Sequence, residues 1–351
     1  MCEQQAFSEY ILGWRSPSGK AADKGTIVHK ALEICAMAKE ALQDGKKFIT
    51  DDIVGKVRTD NYEADYLNEI LAKCFDYYRE KTPHHDLKKH SKWVPKDLKE
   101  CTTWMWEALE FKDGLFDPCK RNVVATEPSF DFELEEDWAK YEYEYKGEII
   151  KGRLALKGTI DLISDMGNGV YEITDYKTGA RKDWATGEVK TPRKMFVDPQ
   201  LRMYHLAAKQ LYPEVSTFLA TMYFLNHDNK QIENNGGPYT VHFQDKDIET
   251  TKDMLKNKFE YLQKVDRPQL NPPERWMCKS MCYFGKTSFE GTSILPIIEN
   301  RPNRPNFKKP MSKCEQIKYY TEKNGMDWVI NNMSQEGHDC NFYKAPGEVD
   351  E

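Results

Sequence analysis

The chain has 351 residues, 39% of them hydrophobic and 31% charged, enough for one large domain or two modest ones. Lysine and arginine number 51 against 57 acids, a formal net charge of −6, so any nucleic-acid surface is local rather than spread over the molecule. No apolar run approaches the ~20 residues of a membrane span, and the first residues, Met1 to Gln5, lack a basic-then-apolar secretory pattern. A soluble cytoplasmic protein is expected. In that compartment nine cysteines speak for metal binding or buried thiols over disulfides.

Residues 7–12 and 25–42 read as helices separated by the Ser16 to Gly19 loop. In the second, Ile27, Ala31, Leu32, Cys35, Ala38 and Leu42 make an apolar stripe at helical spacing, with His29 and Glu33 one turn apart beside it. Residues 51–81 and 96–111 also read as helices, broken around Thr82 and Pro83. Trp93, Trp104 and Trp106 read as packing residues, and this block as a cap over a cleft. From Val123 the pattern turns to strands over 123–127, 130–134 and 148–156, with residues 133–148 as an exposed hairpin end.

Around Asp161 and Asp175 apolar and polar residues alternate, and Asp165, Gly167, Asn168 and Gly169 lie between, the pattern of a β-hairpin. Ile160, Leu162, Tyr171, Ile173 and Thr174 can cover an apolar layer while the two aspartates point elsewhere. The charged loop 180–197 offers Arg181, Lys182, Arg193 and Lys194 to phosphate. Pro199 opens a helix in which Gln200 and Tyr204, four apart, share a face. Strands follow at 218–225 and 239–243, then an amphipathic helix over 246–265, and a frayed tail over 346–351.

Two carboxylates on paired strands can converge on one divalent cation, because hard cations prefer oxygen ligands. Lys177 lies two residues after Asp175, so both side chains leave the same face of an extended strand. A cation, two acids and an ammonium suit hydrolysis of a phosphodiester. Two basic patches are either solvated faces or backbone contacts: Arg301, Arg304, Lys308, Lys309 and Lys313 with no acid between them, and the Arg79 to Lys99 block with Lys88, Lys89, Lys92 and Lys96.

Gly158-Thr-Ile-Asp161, Asp175-Tyr-Lys177-Thr-Gly179 and Gln200-x-x-x-Tyr204 resemble the ordered motifs of the PD-(D/E)XK nucleases. The resemblance is to their RecB-like branch, which includes CRISPR-associated adaptation nucleases and many phage exonucleases. It implies an α/β fold with a restriction-endonuclease-like core, a mixed central sheet flanked by helices. The expected parts are N-terminal helices over 1–45, a helical insertion over 46–120, the nuclease core over 121–267 and a cysteine-bound subdomain over 268–351. Gly25-Thr-Ile-Val-His29 resembles the glycine-to-histidine motif before the RecB-like core, so His29 would join Asp161, Asp175 and the Tyr176 carbonyl around Mg²⁺ or Mn²⁺. Lys177 would orient or deprotonate the attacking water. Glu127 stands in the place of a family glutamate that arranges metal or water, and Gln200 and Tyr204 would face the scissile strand.

Iron–sulfur members of that branch carry one cysteine before the glycine–histidine motif and three after the last helix. The match here is Cys2, Cys278, Cys282 and Cys314, with Cys340 a rival for the fourth position, and the group held is a 4Fe-4S cluster, zinc, or none. Such a cluster would staple the chain ends together. The implied activity is exonuclease hydrolysis at DNA ends, single strands favoured, in recombination, replication or end processing, with a helicase or recombination protein as partner. A DNA-end-binding subunit and a metal-dependent endonuclease are the alternatives.

Overall fold

The computed structural model describes residues 3–14, 16, 18–86, 91–145, 148–181, 188–226, 236–264, 282–285 and 312–335. Its packing divides the chain into two units, one of residues 18–134 and 155–257, the other of residues 1–17, 135–154 and 258–351. The chain opens with α1 (Glu3–Ala6) and a π-helical turn over Phe7–Ile11, which belong to the smaller unit.

In the larger unit α2 (Lys20–Gln43) begins earlier than its apolar stripe suggests, and Ile27, Ala31, Ile34, Cys35 and Ala38 are buried as the stripe requires. The helix expected from Asp51 is corrected. Residues Phe48–Asp51 and Gly55–Arg58 pair as an antiparallel hairpin, β1 and β2, and α3 (Ala64–Lys81) starts only afterwards. The Asp51 carboxylate accepts the backbone N–H groups of Ile53 at 2.8 Å and Val54 at 3.0 Å. Such local side-chain acceptors draw a backbone into a turn and away from a helix.

The next helix, α4 (Pro95–Glu110), carries Pro95 in its first turn, where the missing N–H costs nothing. Helices α2, α3 and α4 share one core, in which Leu71, Phe75, Cys101, Met105 and Leu109 are buried. Each of the leucine, phenylalanine and methionine side chains contributes about 1.5–3 kcal/mol on burial. Trp104 is buried there, and Trp93 and Trp106 pack at its edge, as their packing role demands.

Strands β3 (Val123–Thr126) and β4 (Ser129–Glu133) follow, and then β5 (Lys140–Tyr145) and β6 (Glu148–Arg153) form a hairpin in the smaller unit. The single strand expected over 148–156 breaks at Leu154. β6 pairs with β5, whereas β7 (Ala155–Thr159) pairs with β4. The expected hairpin around the aspartates forms from β8 (Leu162–Asp165) and β9 (Val170–Lys177), with Leu162 opposite Thr174. Its turn holds Gly167, Asn168 and Gly169 at φ +82°, +54° and +73°, which glycine and asparagine tolerate best.

A short helix, α5 (Pro192–Phe196), lies within the expected loop, capped by the Thr191 hydroxyl and anchored by the buried Met195. Helix α6 (Pro199–Leu211) then carries the chain over to β10 (Thr217–Phe224), which runs parallel to β9, as such a crossover allows. β11 (Gly237–Gln244) and α7 (Lys246–Lys264) follow. The sheet is five-stranded and mixed, in the order β11-β10-β9-β8-β3. Because β9 is central, both its faces are buried. Ile173 and Asp175 therefore share a face instead of pointing apart, and Thr174 and Tyr176 occupy the other.

The smaller unit has its own core. Phe7, Leu12 and Trp14 pack with Phe284 and with helices α8 (Lys313–Asn324) and α9 (Met326–Met333), through Ile317, Val329, Ile330 and Met333. The Trp14 indole donates to the Met333 carbonyl at 2.7 Å, and the Gln335 N–H to the Leu12 carbonyl at 2.8 Å. Early and late segments of the chain are thus joined. Among the described residues no helix is long and apolar enough to cross a membrane.

Candidate active site

Asp161 sits at the bend between β7 and β8, and one of its carboxylate oxygens receives two partners. The Tyr176 N–H donates to it at 2.9 Å, and His29 Nδ1 on α2 lies 3.2 Å away. Near the end of β9, Asp175 is 1% exposed. Lys177 Nζ stands 2.8 Å from its Oδ1 and 2.7 Å from its Oδ2, which is the same-face relation the two-residue spacing demands. From α6, Gln200 Nε2 donates to Asp175 Oδ1 at 3.1 Å and to the Tyr204 hydroxyl at 2.8 Å. Glu127 follows β3 with φ +48°, a backbone conformation that non-glycine residues seldom adopt, and its N–H donates to the Asp161 carbonyl at 3.2 Å. Every one of these residues belongs to the larger unit.

Gly25 explains how α2 reaches this place. A Cβ built there would stand 2.8 Å from Thr178 Oγ1, so only glycine lets the helix close on the residue after Lys177. One turn on, His29 meets the Tyr176 ring edge-on, with centroids 6.5 Å apart, and that ring is fixed by its hydroxyl, which donates to the Phe116 carbonyl at 2.8 Å.

Burial and the charge of Asp161 push the Asp175 carboxyl up to about 6, against the pull of Lys177. Burial acts the same way on Asp161, but the His29 hydrogen bond and charge and the Tyr176 N–H outweigh it and hold its carboxyl below the ordinary range. For His29 burial works downward, and the bond to Asp161 with the charges of both aspartates reverses it, so the imidazole is raised. Burial first, then Asp161 and Glu33, push Glu127 up to about 7.

Among the described residues, no group of three or more His, Cys, Asp and Glu side chains stands as a ready metal cage; the His29 and Lys177 nitrogens are engaged with the two carboxylates. The donor set itself suits a hard divalent cation. It offers two shielded carboxylates whose like charges raise one another's cost, an imidazole, and backbone carbonyls at a strand end.

A cleft of ≈ 430 Å³ runs from Glu127 and Asp161 along α2 past His29, Lys30 and Thr26, with Tyr78 of α3 in its wall. Sequence spacing singles out His29 and Glu33 but not Lys30, whose Nζ lies 2.7 Å from Glu33 and 2.9 Å from Asp51. Its place one residue from His29 was the available signal. Asp51 and Tyr78 offered none, since β1 and α3 reach α2 only through folding.

Residues 1–286 match the model of the PD-(D/E)XK nuclease superfamily. The chain belongs to that superfamily. PD-(D/E)XK nucleases typically use Mg²⁺ or Mn²⁺, in keeping with the oxygen-rich donor set. No curated protein matches the chain. A solved structure from Eubacterium rectale, provisionally named an exonuclease, is 13% identical over 85% of this chain and 85% of its own, with a TM-score of 0.40. A likeness that weak carries no argument about this PD-(D/E)XK protein.

Several cations singled out in the sequence have partners within the protein. Arg181 is buried over the Tyr239 ring at 3.6 Å, and Lys194 is paired with Glu188. In the Arg79 to Lys99 block, Arg79 lies 3.4 Å from Asp76 and Lys96 3.4 Å from Glu100, while His85 is buried against Asp23. Lys88, Lys89 and Lys182 lie outside the described residues. So does the patch from Arg301 onward except for Lys313, which sits over the Tyr283 ring at 4.3 Å.

Of the candidate cluster cysteines, Cys282 and Cys314 are half-buried and packed on the core of the smaller unit, and the Cys314 N–H donates to the Phe284 carbonyl at 3.0 Å. Cys2, Cys278 and the rival Cys340 lie outside the described residues. Cys35, Cys74, Cys101 and Cys119 are buried thiols of the larger unit; burial pushes Cys74 and Cys101 up to about 12.

Proposed function

We propose that the chain is a divalent-metal-dependent DNA exonuclease of RecB-like type, acting on DNA ends with single strands favoured. The observation that carries the reading is that, in a chain of the nuclease superfamily, His29 meets Asp161, the Tyr176 N–H ties Asp161 to β9, and Lys177 and Gln200 close on Asp175 beside it.

In this reading His29, Asp161, Asp175 and the Tyr176 carbonyl hold Mg²⁺ or Mn²⁺. When bound, such a cation offsets phosphate charge and makes a coordinated water more acidic. Lys177 orients the attacking water and steadies negative charge growing on the phosphoryl oxygens. Glu127, pushed up to about 7, is suited to exchange a proton near neutral pH. Gln200 positions Asp175, and Tyr204, tied to Gln200, faces the scissile strand. Cys2, Cys278, Cys282 and Cys314 hold a 4Fe-4S cluster, zinc being the alternative; what supports this is that Cys282 and Cys314 pack against one small core. A helicase or recombination protein is the partner class that presents unpaired ends to such an enzyme.

The test is digestion of end-labelled single- and double-stranded DNA in Mg²⁺ or Mn²⁺. Asp175→Ala and Lys177→Ala are expected to lose at least ~100-fold in rate while keeping DNA affinity, which comes mostly from phosphate contacts. Wild-type-like digestion by either variant refutes the assignment.

A further inference from the structure

Resting on that nuclease reading, we infer that one side of α2 together with Tyr78 of α3 forms the subsite for one unpaired nucleotide beside the scissile phosphate, its base lying on the Tyr78 ring. The cleft side of α2 repeats once per turn through Ala22, Thr26, His29 with Lys30, and Glu33. This stripe is about 16 Å long at 1.5 Å per residue. Ala22 and Thr26 are exposed at one end of it.

Charge along the stripe is graded. Glu33, Glu127 and Asp161 crowd one end, and the other end is neutral. A polyanion avoids the acids except where a cation offsets one phosphate, so the neighbouring unit of the strand lies toward Thr26 and Ala22. Lys30 is committed to Glu33 and Asp51. Neither it nor the small residues provide the paired donors and acceptors that read a base edge.

Two rings line this cleft, and with His29 engaged by Asp161, Tyr78 is the one placed to take a base. It packs at the edge of the helical core and meets Tyr77 edge-on at 5.2 Å, so the ring is held by its neighbours. Ring stacking on a base is indifferent to sequence and changes affinity by roughly 5- to 150-fold. The ≈ 430 Å³ of the cleft lies in the range of about 300–1,000 Å³ typical of sites that enclose one small ligand.

Single-stranded oligonucleotides carrying 2-aminopurine at successive positions from the end report stacking as quenching, in metal-free buffer where no cleavage occurs. Quenching is expected at one position with the wild type, lost with Tyr78→Leu and kept with Tyr78→Phe. Tyr78→Met, which retains bulk without a flat ring, repeats the test should Tyr78→Leu fail to fold. In Mg²⁺, an abasic residue at that position is expected to slow the wild type roughly 5- to 150-fold and to leave Tyr78→Leu no slower than on intact DNA. Equal quenching with wild type and Tyr78→Leu, or equal slowing by the abasic residue, overturns the subsite. Tyr78-dependent quenching by a protein that cuts no DNA in Mg²⁺ or Mn²⁺ leaves the subsite standing and refutes the nuclease reading instead.

Discussion

Gly25→Ala separates stability from activity. The added Cβ would lie 2.8 Å from Thr178 Oγ1, about 0.6 Å short of the 3.4 Å at which ordinary contact begins. Alanine gains about 1 kcal/mol over glycine in a helix interior, and overpacking a tight contact costs about 1–3 kcal/mol. The expected net loss is therefore between about 0 and 2 kcal/mol, a fall in Tm of no more than roughly 8 °C for a unit of this size. Activity should suffer more. His29 is one turn from Gly25, and its 3.2 Å contact with Asp161 moves with the helix. Misplacing a catalytic group by about 1 Å can cost ~100-fold, so half that shift should cost roughly tenfold. Steady-state digestion of labelled DNA and thermal melts of Gly25→Ala measure the two effects. Thr178→Ala in the same chain removes the clashing oxygen and should restore most of the rate. Full activity with raised stability in the single variant, or no rescue in the double, refutes the close approach of α2 as the reason for glycine.

Other substitutions test other parts of the fold. Glu172→Ala strands Arg121, which pairs with Glu172 at 2.7 Å where both are buried; a loss of about 3–5 kcal/mol in chemical denaturation is expected, and the double change Arg121→Met with Glu172→Leu should lose less. For Asp51, burial works upward, but the Lys30 bond and the Val54 and Ile53 N–H groups hold its carboxyl below the ordinary range. A depressed carboxyl stabilises above its unfolded pKa of about 3.9 and loses that contribution as pH falls through the lower folded value. Asp51→Asn should thus be less stable than wild type at pH 7, with the gap closing below about pH 4; a gap unchanged down to pH 2 counts against the Lys30–Asp51 pair. Oxygen-protected protein should contain iron or zinc that Cys282→Ser loses, and metal-free wild-type protein would remove the cluster.

The sequence by itself determined the order of motifs and the character of the elements that bear them. Strand alternation around Asp175, the turn residues from Asp165 to Gly169 and the four-residue spacing of Gln200 and Tyr204 are local signals, because strands repeat every two residues and helices every 3.6. For the same reason the pairing of Lys177 with Asp175 was legible in advance. Only the tertiary structure decided which elements become neighbours. That β9 is central, and buried on both faces, depends on β10 arriving beside it after a crossover. The break at Leu154 depends on β4 and β5 claiming different partners, and the hairpin at Asp51 on donors that a local apolar pattern does not display. The contact of His29 with Asp161, the need for glycine at position 25 and the place of Tyr78 in the cleft wall all join residues far apart in the chain. Burial and electrostatics act between neighbours in space, and periodicity along one segment cannot record them.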